Sequence, residues 1–490
     1  MEEGTPPNGI RAELRAGLRR LRTGAVPVLV AILCCTIVAA PALSSGTGVV
    51  EERYPDDGPP EECIGSPEAE YESRGFTGGE DDRAEATAAE GDGVVGVVRQ
   101  AALNRSVYLV EFRVPASRSR TFTVGDVPGA EVVSADGFGP TGDGEFAWDG
   151  STENPRVRVR TTGRTLEGRA FPFPSGEDHL VGRVLRTGPD VELRPAGEGV
   201  IGARFLVLDG VDRYRTTVGC QTITLVVPDA VDRERLADPD RVLRTLAESA
   251  RRLDVGHVYR DVRVFAMPGL PNGTVAGQAR ANEFVVYAGA RLSAAWNVWI
   301  HEYVHTRQGN LSGEEFGWFR EASASYLSVR LALEQGLAAP RDHDGVLAKG
   351  GETEHRLLAD GTDSEAGRLR GAAVLSRLAA MLSDHDRTVG DLLAWANDRD
   401  RRGEPPPSQR QAERRVEDWT GSRVKADRFR VNVRVARPVE PDYASGPRWL
   451  PPWIRRLLRG LGHPIVRTGA GILLVGSLLT YYRDVTRAAA

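Results

Sequence analysis

The chain has 490 residues, of which 41% are hydrophobic and 27% charged, a balance that is typical of a globular protein and excludes a wholly disordered one. The formal net charge of −5 divides into +2 for residues 1–43, +6 for residues 448–490 and −13 for the residues between them. An acidic body predicts no nucleic acid partner, and the basic ends predict contact with membrane lipid at both ends of the chain.

The N-terminal part is predicted to direct the protein to a membrane. Residues 1–43 are predicted to be a signal peptide or an N-terminal transmembrane segment, because an arginine-containing start precedes an almost wholly apolar run from Ala25 to Leu43. By the positive-inside rule, the body that follows lies outside the cytoplasm, at the cell membrane. Residues 44–94 are acidic and show no apolar periodicity, so they are predicted to be a disordered tether.

The tether and the body each contain one cysteine, Cys63 and Cys220, whereas Cys34 and Cys35 fall in the first apolar run. In an exported protein Cys63 and Cys220 would be available to form one disulfide. Two unpaired thiols are the alternative, and the sequence does not separate the two.

The body is predicted to belong to the α+β class. Residues 95–228 consist of short alternating or continuously apolar runs split by Gly, Pro and Asp, a pattern that predicts a β-sandwich-like domain. Residues 229–440 begin with a helical pattern, continue with two strands and are then mostly helical, so they are predicted to form a second domain. Within it, Phe429 to Val435 alternates and is predicted to be a closing strand.

Residues 441–490 are predicted to be a basic, amphipathic and transmembrane C-terminal anchor. Trp449 to Leu461 is basic and aromatic, which is typical of an interfacial segment, and Thr468 to Tyr482 is apolar but short for a membrane span. More arginines precede this apolar segment than follow it, which leaves a cytoplasmic body as the alternative orientation.

An H-E-x-x-H sequence is formed by His301, Glu302 and His305. Residues four apart share one face of a helix, so both imidazoles can reach one ion, while Glu302 lies about 100° round the helix and can act as a base. This is the arrangement that zinc-assisted hydrolysis needs. Ser293 is the predicted N-cap of the helix, and a buried face is predicted by five apolar residues at helical spacing: Trp296, Trp299, Ile300, Tyr303 and Val304.

Zinc held by two histidines needs a third protein ligand, and Glu321 is the candidate. Fifteen residues separate His305 from Glu321, enough for one helix to end and a second to bring a carboxylate back. The surrounding Trp318-Phe-Arg-Glu321 resembles the Trp-x-x-Glu-Gly of gluzincin zinc peptidases, in particular the aminopeptidase N and glycyl aminopeptidase families, with Ala322 in place of the Gly. Weaker similarity extends over about 95–435.

This resemblance implies a thermolysin-like, mainly helical catalytic domain over 229–440, preceded by the β-rich domain. It implies one Zn²⁺ held by His301, His305 and Glu321, and a peptide or protein substrate. It further implies that Glu302 takes a proton from the attacking water and passes it to the leaving amine.

Two departures from the family pattern affect the remaining site residues. Arg368 occupies the position of a Tyr that stabilises the oxyanion in the family. Either Arg368 takes that electrostatic role, another group does, or activity is reduced. The amine-binding Gly-x-Met-Glu-Asn sequence is absent; Glu283 is the predicted substitute, and the strand that follows it is predicted to pair with extended peptide. Ser325, one turn beyond Glu321, is predicted to support that ligand or simply to pack. The departures leave a second hypothesis, a catalytically weak or inactive zinc-binding surface scaffold.

Overall fold

The computed structural model describes residues 93–441, apart from gaps at 103, 117–120, 128, 143, 162–179, 189–190, 269–276, 312, 314 and 363. The strands of this part are β1 Val94–Ala101, β2 Asn104–Arg113, β3 Thr123–Gly125, β4 Ala130–Asp136, β5 Phe138–Gly142, β6 Glu145–Trp148, β7 Arg156–Thr161, β8 Leu180–Arg183, β9 Arg186–Thr187, β10 Val191–Pro195, β11 Val200–Ile201, β12 Phe205–Leu208, β13 Val211–Val218, β14 Gln221–Pro228, β15 Asp261–Met267, β16 Gly277–Arg280 and β17 Glu283–Tyr287.

The helices of the described part are α1 Pro239–Arg252, α2 Val298–His305, α3 Trp318–Glu334, α4 Pro340–Glu352, α5 Leu357–Asp360, α6 Glu365–Leu382, α7 Val389–Arg401, α8 Gln409–Thr420 and α9 Arg423–Arg434. A β-rich N-terminal region is thus followed by a helical C-terminal region. This confirms the predicted α+β class.

The N-terminal strands form sheets in the orders β10-β1-β2-β7-β4, β5-β6-β3-β9 and β11-β12-β8. Their alternating residues are buried on one side, as in β7, where Val157 and Val159 are inaccessible to solvent and the alternating arginines at 156, 158 and 160 are exposed. Phe112, Phe122 and Phe138 contact one another with ring centroids 5.3–5.6 Å apart and anchor this core.

A mixed sheet in the order β13-β14-β15-β17-β16 carries the helical region. β14 and β15 are parallel, and α1 connects them, whereas β13 and β16 pair antiparallel with their neighbours. β13 and β14 span 211–228, which the sequence assigned to the first domain, so the predicted boundary at 228/229 falls inside this sheet.

The two faces of the mixed sheet contact different parts of the molecule. In β14, Ile223, Leu225 and Val227 belong to the large core shared with the helices, while Val226 points the other way, into a smaller core shared with β8, β11 and β12. Strand residues alternate between faces, so one continuous apolar run serves both cores.

The predicted closing strand at 429–435 is wrong, because Arg423–Arg434 is the helix α9. Ser422 caps its start, and the buried side chains Ala426, Phe429 and Val433 recur at three- and four-residue spacing. Burial of this helical face outweighs the local alternation of Val and Arg.

Within the part of the chain that the structure describes, no helix is long and apolar enough to cross a membrane. The predicted membrane segments in 1–43 and 441–490, and nearly all of the tether, lie outside the described residues. Cys220, at the turn between β13 and β14, is disulfide-bonded. Its partner also lies outside them, so the pairing with Cys63 stays a prediction.

Candidate metal centre

The helix α2 presents the two histidines. It begins at Val298 because the Asn297 side chain accepts a hydrogen bond from the Ile300 N–H, so the predicted cap at Ser293 is wrong. The predicted apolar face is otherwise largely buried, with Trp299, Ile300, Tyr303 and Val304 fully inaccessible to solvent. Burial of that face turns the opposite face, which carries the histidines, towards α3.

The helix α3 brings Glu321 back in its first turn. Trp318 at the start of α3 donates its indole N–H to Gln409 of α8, at 3.0 Å, which fixes the entry of the chain into the helix. α6 packs closely against this first turn, since a Cβ on Gly371 would lie 2.5 Å from the Cβ of Ala322. The small residues Gly371 and Ala322 therefore let the helix with Arg368 approach the helix with Glu321.

The three predicted ligands converge, and their ligand atoms all lie within 4.8 Å of one another. Nε2 of His301 is 3.5 Å from one carboxylate oxygen of Glu321, and Nε2 of His305 is 3.3 Å from the other. A tetrahedral ion with ligands at about 2.1 Å separates them by about 3.4 Å, so a two-histidine, one-carboxylate donor set at this spacing fits Zn²⁺.

The pKa values of the two acidic residues of the site are shifted in opposite directions. Burial would raise the pKa of Glu321, but the His305 and His301 imidazoles outweigh it and hold that pKa well below its ordinary value. For Glu302, which is 5% exposed, burial dominates and raises the pKa from 4.5 to about 7. Glu321 is therefore suited to binding a cation, and Glu302 to exchanging a proton near neutral pH.

Strand β16 lies directly over Glu302. A Cβ on Gly277 would come within 2.6 Å of the Glu302 Cγ, so only glycine fits without displacing the carboxylate. Two cations, Arg368 on α6 and Arg320 next to Glu321, are near enough to lower the pKa of Glu302 against the effect of burial. Arg368 thus lies close enough to Glu302 to affect its pKa, and its role in stabilising an oxyanion stays a prediction.

Glu283 does not occupy the predicted substrate-binding role. It is fully buried, and its carboxylate lies 2.6 Å from Arg263 Nη1. It also accepts hydrogen bonds from the backbone N–H groups of 203, 204 and 205, in the turn that enters β12. A carboxylate engaged in this way joins the β-rich region to the mixed sheet, and it is not presented to a substrate amine.

The prediction that the strand beginning at Glu283 pairs with a substrate peptide is also wrong. β17, which begins at Glu283, lies between β15 and β16 and has both edges paired. The edge strand beside the site is β16, which sequence reasoning missed because its Gly-Gln-Ala-Arg sequence has little apolar alternation. Ser325 is fully buried, and within the described residues its hydroxyl has no hydrogen-bond partner, so it makes no hydrogen bond to Glu321.

Gln308, like strand β16, was not predicted from the sequence to be part of the site. Its side-chain oxygen lies 2.8 Å from Nδ1 of His305, the ring nitrogen that faces away from Glu321. On the other side of the site, the partly exposed ring of Trp296 stacks on His301 with centroids 6.2 Å apart. The only sequence signal for Gln308 is its position, since it is a polar residue one helical turn after the predicted ligand His305.

No family model and no curated protein matches the chain. Among solved structures, it is similar to an M1 zinc metallopeptidase from Deinococcus radiodurans, at 14% identity and a TM-score of 0.48 over 72% of this chain and 95% of the other. An aminopeptidase N family protein from Idiomarina loihiensis matches at 12% identity and a TM-score of 0.48, over 71% and 77%. Identities and TM-scores this low establish no function, which has to rest on the site's own residues.

Proposed function

We propose that this chain is a zinc-dependent peptidase that hydrolyses peptide bonds with water. The observation that carries the proposal is the convergence of His301, His305 and Glu321 from two helices, with the buried Glu302 beside them. The donor set, its spacing and the adjacent carboxylate together meet the requirements of a hydrolytic zinc site.

Each residue has a distinct task in this proposal. His301, His305 and Glu321 hold the ion, and bound Zn²⁺ supplies a Lewis acid that polarises a peptide carbonyl and lowers the pKa of water. Glu302, whose pKa burial raises to about 7 in the metal-free site, would accept the proton of the attacking water and return it to the leaving amine. Arg368 supplies positive charge to the developing oxyanion.

The edge strand β16 provides a way to align the substrate. An extended peptide added to the outer edge of β16 gains main-chain hydrogen bonds, which fix its direction independently of its side chains. Because Gly277 of this strand contacts Glu302, a peptide bond held there lies next to the proposed base. Glu283, which is paired with Arg263, provides no anchor for a substrate amino group.

The test is digestion of a peptide library by the full-length protein, followed by mass spectrometry. The wild type is expected to cleave, and a chelator is expected to stop cleavage. Glu302→Gln is expected to retain one zinc and lose turnover, because it keeps the ligands and removes the base. Glu248→Gln, on the surface of α1, is the matched control and is expected to cleave like the wild type.

Zinc binding without turnover in the wild type would contradict a peptidase and support the scaffold hypothesis. Cleavage at undiminished rate by Glu302→Gln would show that the activity comes from another site or a contaminant. Attachment to a membrane and an extracellular body stay predictions, because the segments concerned lie outside the described residues.

A further inference from the structure

The orientation of His305 depends on a short chain of hydrogen bonds through Gln308. The Gln308 amide nitrogen donates to the backbone carbonyl of Arg320, at 2.8 Å, and to the hydroxyl of Ser323, at 2.9 Å. Its amide oxygen lies 2.8 Å from Nδ1 of His305. Gln308 is itself buried, at 7% exposure.

These partners determine where the protons are. The Arg320 carbonyl can only accept, so the Gln308 nitrogen must face it and the Gln308 oxygen must face His305. An amide oxygen cannot donate, so Nδ1 of His305 carries the hydrogen. In the neutral ring Nε2 is then unprotonated and carries the lone pair that can bind a metal. Nε2 is also the atom that faces Glu321.

We propose that Gln308 is a positioning residue for the metal site, which holds His305 in the ligating tautomer and fixes the direction of its ring. The inference rests on the proposed function, since it assumes that His305 is a zinc ligand. A hydrogen-bonded partner on the distal ring nitrogen raises ligand basicity and reduces the orientational freedom that binding has to remove.

The backbone of Gln308 is held as firmly as its side chain. The buried Asn397 of α7 accepts from the N–H of Gly309, at 2.8 Å, and donates to the carbonyl of Arg307, at 2.9 Å. The same amide donates to the carbonyl of Val255, at 2.8 Å. One side chain therefore clamps the residues on both sides of Gln308, and the turn after α2 presents its amide in a fixed place.

Gln308 also connects the two helices that supply ligands. His305 ends α2, whereas Arg320 and Ser323 lie on either side of Glu321 in the first two turns of α3. By contacting His305 and both flanking residues, Gln308 fixes the separation of the second imidazole from the carboxylate. His301 has no comparable support, since its Nδ1 is buried without a hydrogen-bond partner among the described residues.

The experiment measures zinc affinity of the full-length protein by competition with a chromophoric chelator, and the visible absorption spectrum of the Co²⁺-substituted protein. Gln308→Leu removes all three side-chain hydrogen bonds at similar volume and is expected to weaken zinc binding by about 10–100-fold. Gln308→Glu keeps an acceptor for the His305 N–H and is expected to bind zinc more tightly than the leucine variant, with a Co²⁺ spectrum nearer that of the wild type.

The matched control is Gln221→Leu. Gln221 is also buried, accepts from the Tyr303 hydroxyl of α2, at 2.6 Å, and donates to the Tyr259 carbonyl, at 2.8 Å, but it contacts neither histidine. Its loss is expected to lower the melting temperature of the metal-free protein and leave zinc affinity unchanged. The metal-free melting temperature is recorded for every variant, so that lost stability and lost ligation are separated.

Equal zinc affinity and equal Co²⁺ spectra in the wild type and Gln308→Leu would overturn the positioning role while leaving the proposed function intact. A wild type that binds no zinc would overturn both. Where leucine prevents folding, Gln308→Asn gives the same test, because its amide is one methylene too short to reach Nδ1. Wild-type affinity in the asparagine variant would equally count against the proposal.

Discussion

The substitution Glu302→Gln is expected to stabilise the metal-free protein and to abolish the activity of the zinc-loaded protein. The native state raises the pKa of Glu302 from 4.5 to about 7 because the carboxylate is buried. Between these two pH values the folded chain binds more protons than the unfolded chain, so its stability falls as pH rises. A difference of roughly 2.5 pKa values corresponds to about 3 kcal/mol, all of it lost above pH 7.

Glutamine occupies nearly the same volume and carries no charge, so it escapes this cost. Urea unfolding of chelator-treated protein should show the variant more stable than the wild type by about 3 kcal/mol at pH 8, and by less than about 1 kcal/mol at pH 5. Zinc should reduce the difference at pH 8, because a nearby cation stabilises the ionised carboxylate. A variant that is less stable at pH 8, or whose advantage is equal at both pH values, would refute this reasoning.

Three further predictions follow from the same contacts. Glu283→Gln is expected to destabilise the protein by about 3–5 kcal/mol in urea unfolding, since it removes the negative charge that faces the buried Arg263. Unchanged or increased stability would contradict that role. Gly277→Ala is expected to lower kcat at least tenfold and to leave zinc affinity unchanged, because the added Cβ displaces the Glu302 side chain. A wild-type kcat in this variant would show that catalysis does not depend on the position of the Glu302 carboxylate beside β16. For the wild type, kcat/KM should fall as pH decreases through an apparent pKa of about 7 or below, because Glu302 must be ionised to act as a base; activity that increases towards acid pH would exclude it.

The convergence of His301, His305 and Glu321 could be predicted from the sequence because it depends on short-range spacing and on one short motif. The spacing of His301 and His305 places both on one face of any helix. The Trp-x-x-Glu pattern around Glu321 resembles that of the gluzincins. The gap of fifteen residues between them needs only a short loop. No knowledge of the tertiary fold is required for these steps.

The errors concern residues whose role is decided by distant partners. Glu283 follows Asn282 at a strand start, and nothing local reveals that Arg263, twenty residues away, and the turn at 203–205 will enclose it. The alternation at 429–435 is compatible with a strand, and only the core formed by other helices selects the helical face of Phe429 and Val433. The orientation of the Gln308 amide is set by hydrogen bonds to Arg320 and Ser323, which lie at the start of the next helix and are brought alongside it by the intervening loop.

The most direct test of the central claim is hydrolysis of a cleavable peptide by metal-free protein as Zn²⁺ is titrated back. Turnover is expected to rise from zero to a plateau at one zinc per chain, and His305→Ala and Glu321→Ala should show no such rise. Turnover that persists in the metal-free protein, or a plateau that the two ligand variants also reach, would contradict a catalytic zinc held by His301, His305 and Glu321.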